Sequence, residues 1–313
     1  MNGRSSKSPI KTVGCESSIK IKIVKNLITR IITGILFGIV MTGLIYYSFE
    51  TFLMLILLIA IGSFFELRKL FAKAQLSVNK NRLYLKSSVA LLLSLYPVFL
   101  SHSGEYTDTT LAGINVFSSV RILIYTGFIV SFTIEWLFDK TFGRAVAELL
   151  FLFYWILWMH AALNIFYFRH QLQYSNMLAL SVVFTIWAND TFAYFTGMLF
   201  GKNKLMPGVS PKKTVEGWIG GVIFALITAH VCYLFLLRDN NVIGAIDAMV
   251  IGFIVGMAGT AGDLIESKIK RLADVKDSSD IFPGHGGILD RFDAWFMVMP
   301  VLELYWIVKE VIS

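Results

Sequence analysis

The sequence predicts an all-α, polytopic integral membrane protein of about nine transmembrane helices with a cytoplasmic N-terminus. Three observations predict it. Of the 313 residues 56% are hydrophobic and 16% charged, against roughly 45–50% and about 25% in soluble domains. Apolar stretches follow one another almost without interruption from Ile31 to the C-terminus, leaving no room for a water-soluble core. The lysines and arginines fall in short connections between those stretches, where the positive-inside rule puts them.

Residues 1–26 are polar, basic and Ser-rich, and no small-residue cleavage site follows the first apolar run, so they read as a disordered cytoplasmic tail and not as a signal peptide. Residues 27–313 then form a single transmembrane domain. Stretches approaching the span of about 20 residues that a bilayer needs lie near 27–47, 50–65, 87–103, 121–138, 146–168, 177–199, 217–237, 243–262 and 294–312. The second, third and fourth are short, which fits tilted or re-entrant segments, or helices longer than their apolar centres.

With the N-terminus inside, the inner connections carry Arg68, Lys69, Lys73, Lys80, Arg82 and Lys86, then Lys140 and Arg144, then Lys202, Lys204, Lys212 and Lys213, and last Lys268, Lys270, Arg271, Lys276 and Arg291. The outer connections hold Glu50, Glu105, Asp108 and only two arginines, Arg169 and Arg238. This alternation gives an odd helix count and an outer C-terminus. It also puts the two longest late loops, 200–216 and 263–293, on one face, where they can build one site.

The net charge of +7 is explained by that topology better than by nucleic acid, which is not an expected partner. Cys15 lies in the polar leader and Cys232 in an apolar segment, so neither a disulfide framework nor metal-ligand spacing is present. The sequence contains no GxxxxGK[ST], HExxH, CxxC or GxGxxG pattern.

Chemistry concentrates in two places. The last loop, GDLIESKIKRLADVKDSSDIFPGHGGILDRFDA from Gly262 to Ala294, mixes Asp263, Glu266, Asp274, Asp277, Asp280, Asp290 and Asp293 with Lys268, Lys270, Arg271, Lys276 and Arg291. Beside them Gly284, Gly286 and Gly287 let backbone approach a bulky anion. Asp290 and Asp293 stand at i and i+3 at a helix start, and Asp263 and Glu266 repeat that spacing at the end of the preceding helix. Carboxylates paired in this way suit Mg²⁺, which takes one or two protein carboxylates together with substrate phosphates and water. Glu266 and Asp274 are read more simply, the first as an i,i+4 partner of Lys270 and the second as a cap or solvated loop residue. His285, between glycines, is open to a phosphate or metal-water contact as much as to an ordinary loop role.

The second place is DTFAYFTGMLFGKNKLMPGVSPKKTVEGWIGG, Asp190 to Gly221. Asp190 sits deep in an apolar segment, where a charge is expensive and functional by default; the plainer alternative is a hydrogen bond to Trp187, Asn189 or Thr191. Ser210, Lys212, Lys213 and Thr214 supply hydroxyls and cations suited to a triphosphate.

The runs DTFAY, GVSPKKTVEGWIGG and GDLIESKIKR resemble the signature regions of the phosphatidate cytidylyltransferases, the CDP-diacylglycerol synthases, and so does the ordered set Ser267, Lys270 and Arg271, Lys276 and Asp277, PGHGG and DRFD. The resemblance covers about 185–295, where the catalytic part is expected; the N-terminal half is similar only in being hydrophobic. Met198 departs from a usually basic position and Asp274 from a usually small one.

The resemblance implies synthesis of CDP-diacylglycerol and pyrophosphate from CTP and phosphatidate, at a bacterial cytoplasmic (inner) membrane, for phospholipid biosynthesis. It implies Mg²⁺ on Asp263 and Asp290, with K⁺ as a candidate second ion; apart from the resemblance, a homodimer is a candidate assembly. The catalytic set is Asp263, Asp277, Asp290, Asp293, Lys276 and Arg291. The substrate-binding set is Asp190, Ser210, Lys212, Lys213, Thr214, Glu216, Ser267, Lys270, Arg271, His285, Gly286 and Gly287. Competing readings are a CTP-dependent polyprenol or phytol kinase, an ion-coupled membrane transporter and, last, a non-catalytic scaffold.

Overall fold

The computed structural model describes residues 32–74, 110–111, 114–115, 158–166, 174–238, 243–282 and 286–312. The expected tail at 1–26, the expected spans at 87–103 and 121–138, and His285 lie outside them. The described chain is mostly helical: α1 (Ile32–Tyr47), α2 (Phe49–Lys73), α3 (Trp158–Phe166), α4 (Asn176–Phe200), α5 (Val215–Cys232), α6 (Ala245–Leu272) and α7 (Leu289–Ile312). Helix α5 runs on as a π-helical turn over Tyr233–Leu237. Four of these, α2, α4, α5 with its extension, and α6, are long and apolar enough to cross a membrane.

Strand is confined to two small antiparallel pairs, β1 (Thr110–Leu111) with β2 (Ile114–Asn115), and β3 (Lys204–Met206) with β4 (Ser210–Thr214). The second pair corrects the reading of 200–216 as a plain loop. It aligns Lys204 with Thr214 and Met206 with Ser210, with a register irregularity between them, so the SPKKT run is extended.

Two helix ends also differ from the sequence reading. The apolar span read to 262 continues as helix to Leu272: Asp263 and Glu266, expected at the end of this helix, are helical, and so are Ser267, Lys270 and Arg271. Hydropathy marks where lipid ends, whereas the helix persists past that point. Lys270 pairs with Glu266 at i,i+4, and Lys270 and Arg271 in the last turn favour the helix dipole. For a similar reason α2 runs through Arg68 and Lys69 to Lys73, which were expected in a connection.

α5 packs between α4 and α6, and α7 packs on α6 and α3. The contact of α5 with its neighbours is close because small residues line it: a Cβ on Gly256 would stand 2.8 Å from Val222 Cα, and one on Gly252 2.8 Å from Leu226 Cα. Phe192 and Phe224 stack across α4 and α5 with centroids 3.7 Å apart. In lipid, where apolar burial between helices supplies little drive, this backbone approach is what holds neighbours together. On the far side Trp158 of α3 meets Phe296 of α7 edge-on, and Phe52 of α2 meets Phe166 of α3.

The C-terminal ends of α2, α4 and α6 and the N-terminal ends of α5 and α7 gather at one end of the bundle, as side-chain contacts from Lys213 to Asp263 and from Glu66 to Ser278 show. At the other end Tyr174 donates to Ile45 O, and Asp247 of α6 meets Tyr305 and Lys309 of α7. Gly256→Leu is expected to cost about 1–3 kcal/mol through overpacking. A thermal melt of the detergent-solubilised protein should show the midpoint fall by several degrees.

Candidate active site

At the first of these ends a cavity of about 580 Å³ is lined by Asp190 from α4, Lys212, Lys213 and Thr214 from β4, Asp263 from α6, and Asp290, Arg291 and Asp293 from α7. Its apolar wall is made by Phe37 of α1, Trp187, Tyr194 and Met198 of α4, and Trp218 of α5. Residues from the two stretches singled out in the sequence therefore meet at one point.

Helical spacing explains the carboxylates. Asp263 and Glu266 lie on one face of α6, and Asp290 and Asp293 on one face of the first turn of α7, where a helix N-terminus favours negative charge. Crossing of the two helices brings oxygens of Asp263, Glu266 and Asp293 within 4.8 Å of one another. Gly262 permits it: a Cβ there would run into the backbone carbonyl of Asp293.

Cations hold this charge in place. Lys213 forms an ion pair with Asp263 Oδ2, and Ser267 Oγ donates to Asp263 Oδ1 at 3.2 Å. The buried Lys270 bridges Glu266 Oε2 at 2.5 Å and Asp290 Oδ1 at 2.6 Å. Asp290 Oδ2 accepts from the backbone N–H of Ser278, the hydroxyl of Ser278 and the backbone N–H of Gly287, each at 2.8 Å. Glu266 Oε1 is buried with no hydrogen-bond partner among the described residues.

A hard divalent cation fits this donor set, which is all carboxylate oxygen and includes an orphaned buried acceptor. The grouping differs from the sequence expectation in detail. Asp263 clusters with Glu266 and Asp293, while both oxygens of Asp290 are engaged by protein donors. Glu266 makes the expected pair with Lys270 and also joins the cluster, a second role that its i,i+4 spacing hid.

The other expected residues divide. Asp190 accepts from Asn189 Nδ2 at 3.1 Å, the plainer alternative read from the sequence, and it also lines the cavity. Thr214 Oγ1 caps α5 by accepting from Gly217 N. Glu216 is spent on the chain itself, accepting from the backbone of Lys202 and Asn203 and from Asn203 Nδ2 at 2.7 Å, and so fixes the turn into the hairpin. Arg271 is exposed and donates to Val275 O. Lys276 and Asp277 are exposed, and neither they nor Ser210 are among the residues lining the cavity. Gly286 adopts φ 81° and pairs with Phe282. Met198, at the usually basic position, is exposed on the apolar wall. Asp274 takes φ 52° just past the end of α6, a left-handed conformation that aspartate tolerates, in line with its reading as a cap or loop residue.

Sequence reasoning missed Phe37, Glu66 and Ser278. Phe37 carries no signal, being one aromatic in an apolar run. Glu66 did carry one: it is an acid inside FFELRKL, at the edge of a span, where an ionisable group is a functional candidate.

The whole span 28–308 matches the model of the "Cytidylyltransferase family". The chain is 35% identical over 278 residues to a phosphatidate cytidylyltransferase of Bacillus subtilis, covering 87% of this chain and 95% of that one. It is 49% identical over 119 residues to the enzyme of the same name from Staphylococcus saprophyticus (38% and 45% of the two chains), and 41% over 149 residues to that of Haemophilus influenzae (46% and 50%). With its length matched from the first described helix to the last, this chain belongs to the cytidylyltransferase family.

Proposed function

We propose that this protein is a phosphatidate cytidylyltransferase, joining CTP and phosphatidate to give CDP-diacylglycerol and pyrophosphate, at the cytoplasmic face of a bacterial inner membrane. The observation that carries the reading is the meeting of a carboxylate cluster and a basic hairpin beside an apolar wall, at one end of membrane-spanning helices. Such a cavity presents a water-facing charged side to a nucleotide and a lipid-facing side to a diacyl chain.

In this reaction a phosphate oxygen of phosphatidate attacks the α-phosphorus of CTP. The new P–O bond forms as the bond between the α-phosphorus and the bridging oxygen breaks, and pyrophosphate leaves with that electron pair. No protein nucleophile is needed, so the work of the protein is placement and charge neutralisation. Lys212, Lys213 and Arg291 are the cations lining the cavity and are assigned to the triphosphate and the lipid phosphate. The carboxylates lining it, Asp190, Asp263, Asp290 and Asp293, outnumber those cations when all are ionised, and a polyanion then requires further positive charge to enter.

Mg²⁺ supplies that charge and polarises the phosphates when bound. Asp263, Asp293 and Glu266 are the residues grouped to hold it. Asp290 joins them only if Lys270 releases its Oδ1. Lys213, paired with Asp263 here, would be free for the nucleotide if the ion took its place on that carboxylate.

Incubation with phosphatidate and CTP labelled at either phosphate tests the reaction. The α label should enter lipid and the γ label should leave as pyrophosphate; γ label in lipid would establish the kinase chemistry of the competing reading. Asp263→Asn and Asp293→Asn should each lower kcat by about 10²–10³-fold, with a melting temperature close to wild type in metal-free buffer. The thermal stabilisation that Mg²⁺ gives the wild type should disappear in both. Lys213→Ala should raise the KM for CTP about tenfold, measured at saturating phosphatidate.

A further inference from the structure

We propose that Glu66, on α2 in the N-terminal half, is the positioning residue that sets the α7 carboxylates in the cavity. The inference rests on the nucleotidyl transfer proposed for that cavity.

Glu66 is 2% exposed. A carboxylate at that depth is costly unless its oxygens are satisfied, and both are. Oε1 accepts from Ser279 Oγ at 2.5 Å and from the backbone N–H of Ile288 at 3.0 Å. Oε2 accepts from Ser278 Oγ at 2.8 Å and from the backbone N–H of Leu289 at 2.8 Å. All four donors belong to the segment that leads into α7.

Two of them are backbone groups at the start of α7, which need a partner that the local sequence does not provide. Ser, Thr, Asp or Asn normally caps a helix there, but Gly287 and Ile288 precede Leu289. Glu66 supplies that cap from another helix, and places negative charge at the helix N-terminus, where the dipole favours it. Asp290 and Asp293 lie in the turn so fixed.

The clamp also reaches Asp290 directly. Ser278 Oγ is 2.8 Å from Glu66 Oε2 and 2.8 Å from Asp290 Oδ2. Its single proton serves one carboxylate at a time, so the backbone N–H groups of Ser278 and Gly287 on Asp290, and of Ile288 and Leu289 on Glu66, fix the two acids relative to each other. Gly287 makes room: a Cβ there would stand 2.5 and 2.6 Å from the two Glu66 oxygens. This accounts for one glycine of the PGHGG run by the approach of a carboxylate from α2 and not of a substrate phosphate.

Glu66→Gln tests the assignment. It keeps the size of the side chain, but whichever way the amide turns, one of the two backbone N–H groups faces an NH₂ that cannot accept. The purified detergent-solubilised variant should melt within a few degrees of wild type. Its kcat should fall, and the Mg²⁺ concentration for half-maximal rate should rise, each about tenfold, with the KM for phosphatidate unchanged. Mn²⁺ binding followed by electron paramagnetic resonance without substrates should weaken by a similar factor, and amide exchange should rise over 278–292. If Glu66→Gln does not give a monodisperse protein, Ser279→Ala, which removes one of the four contacts, should show the same shifts at smaller size. Unaltered Mg²⁺ half-saturation and Mn²⁺ affinity in whichever variant folds, with any rate loss matching the loss of folded protein, would overturn the proposal. A wild-type protein that transfers nothing from CTP to phosphatidate defeats the reading of the cavity and the inference with it. An active wild type matched by its variants defeats this inference alone.

Discussion

Oxygens of Asp263, Glu266 and Asp293 lie within 4.8 Å of one another, so these groups repel one another whenever they are ionised together. The fold around them can be understood as the means of sustaining that repulsion. Lys213 arrives on a hairpin and pairs with Asp263; Lys270, one turn along α6, bridges Glu266 and Asp290. Close helix packing at Gly252 and Gly256 keeps α5 against α6, and Gly262 keeps α6 against α7, so the carboxylates cannot relax apart. On the proposed reading, a divalent cation at this cluster would relieve that repulsion.

The lysines then have two states available. In the described arrangement they neutralise carboxylates. Were a metal ion to take that task, as the proposed function has it, the same ammonium groups would be free to meet phosphate. Asp290 is engaged on both oxygens.

Part of the site was legible in the sequence because local periodicity is a local property. The i,i+3 spacing of Asp263 with Glu266 and of Asp290 with Asp293 implied shared faces, and charge alternation implied that the two late stretches share one end of the bundle; both are seen. Glu216 illustrates the opposite case. It lies within the same motif as Lys213, yet its carboxylate is consumed by the backbone of Lys202 and Asn203, a turn geometry that motif spacing does not specify. The apolar stretch stops near 262 while α6 runs on to Leu272, because hydropathy reports the lipid and not the hydrogen-bond ladder.

The sequence by itself determined that this chain is a membrane protein, which stretches carry its chemistry and to which family it is similar, since those depend on composition, spacing and order along the chain. Only the tertiary structure decided which acid meets which cation, that Glu266 faces the same point as Asp293, and that Glu66 reaches across from α2 to cap α7. Those pairings depend on how helices cross, and an interaction between residues 222 positions apart leaves no periodic trace in either of the segments that make it.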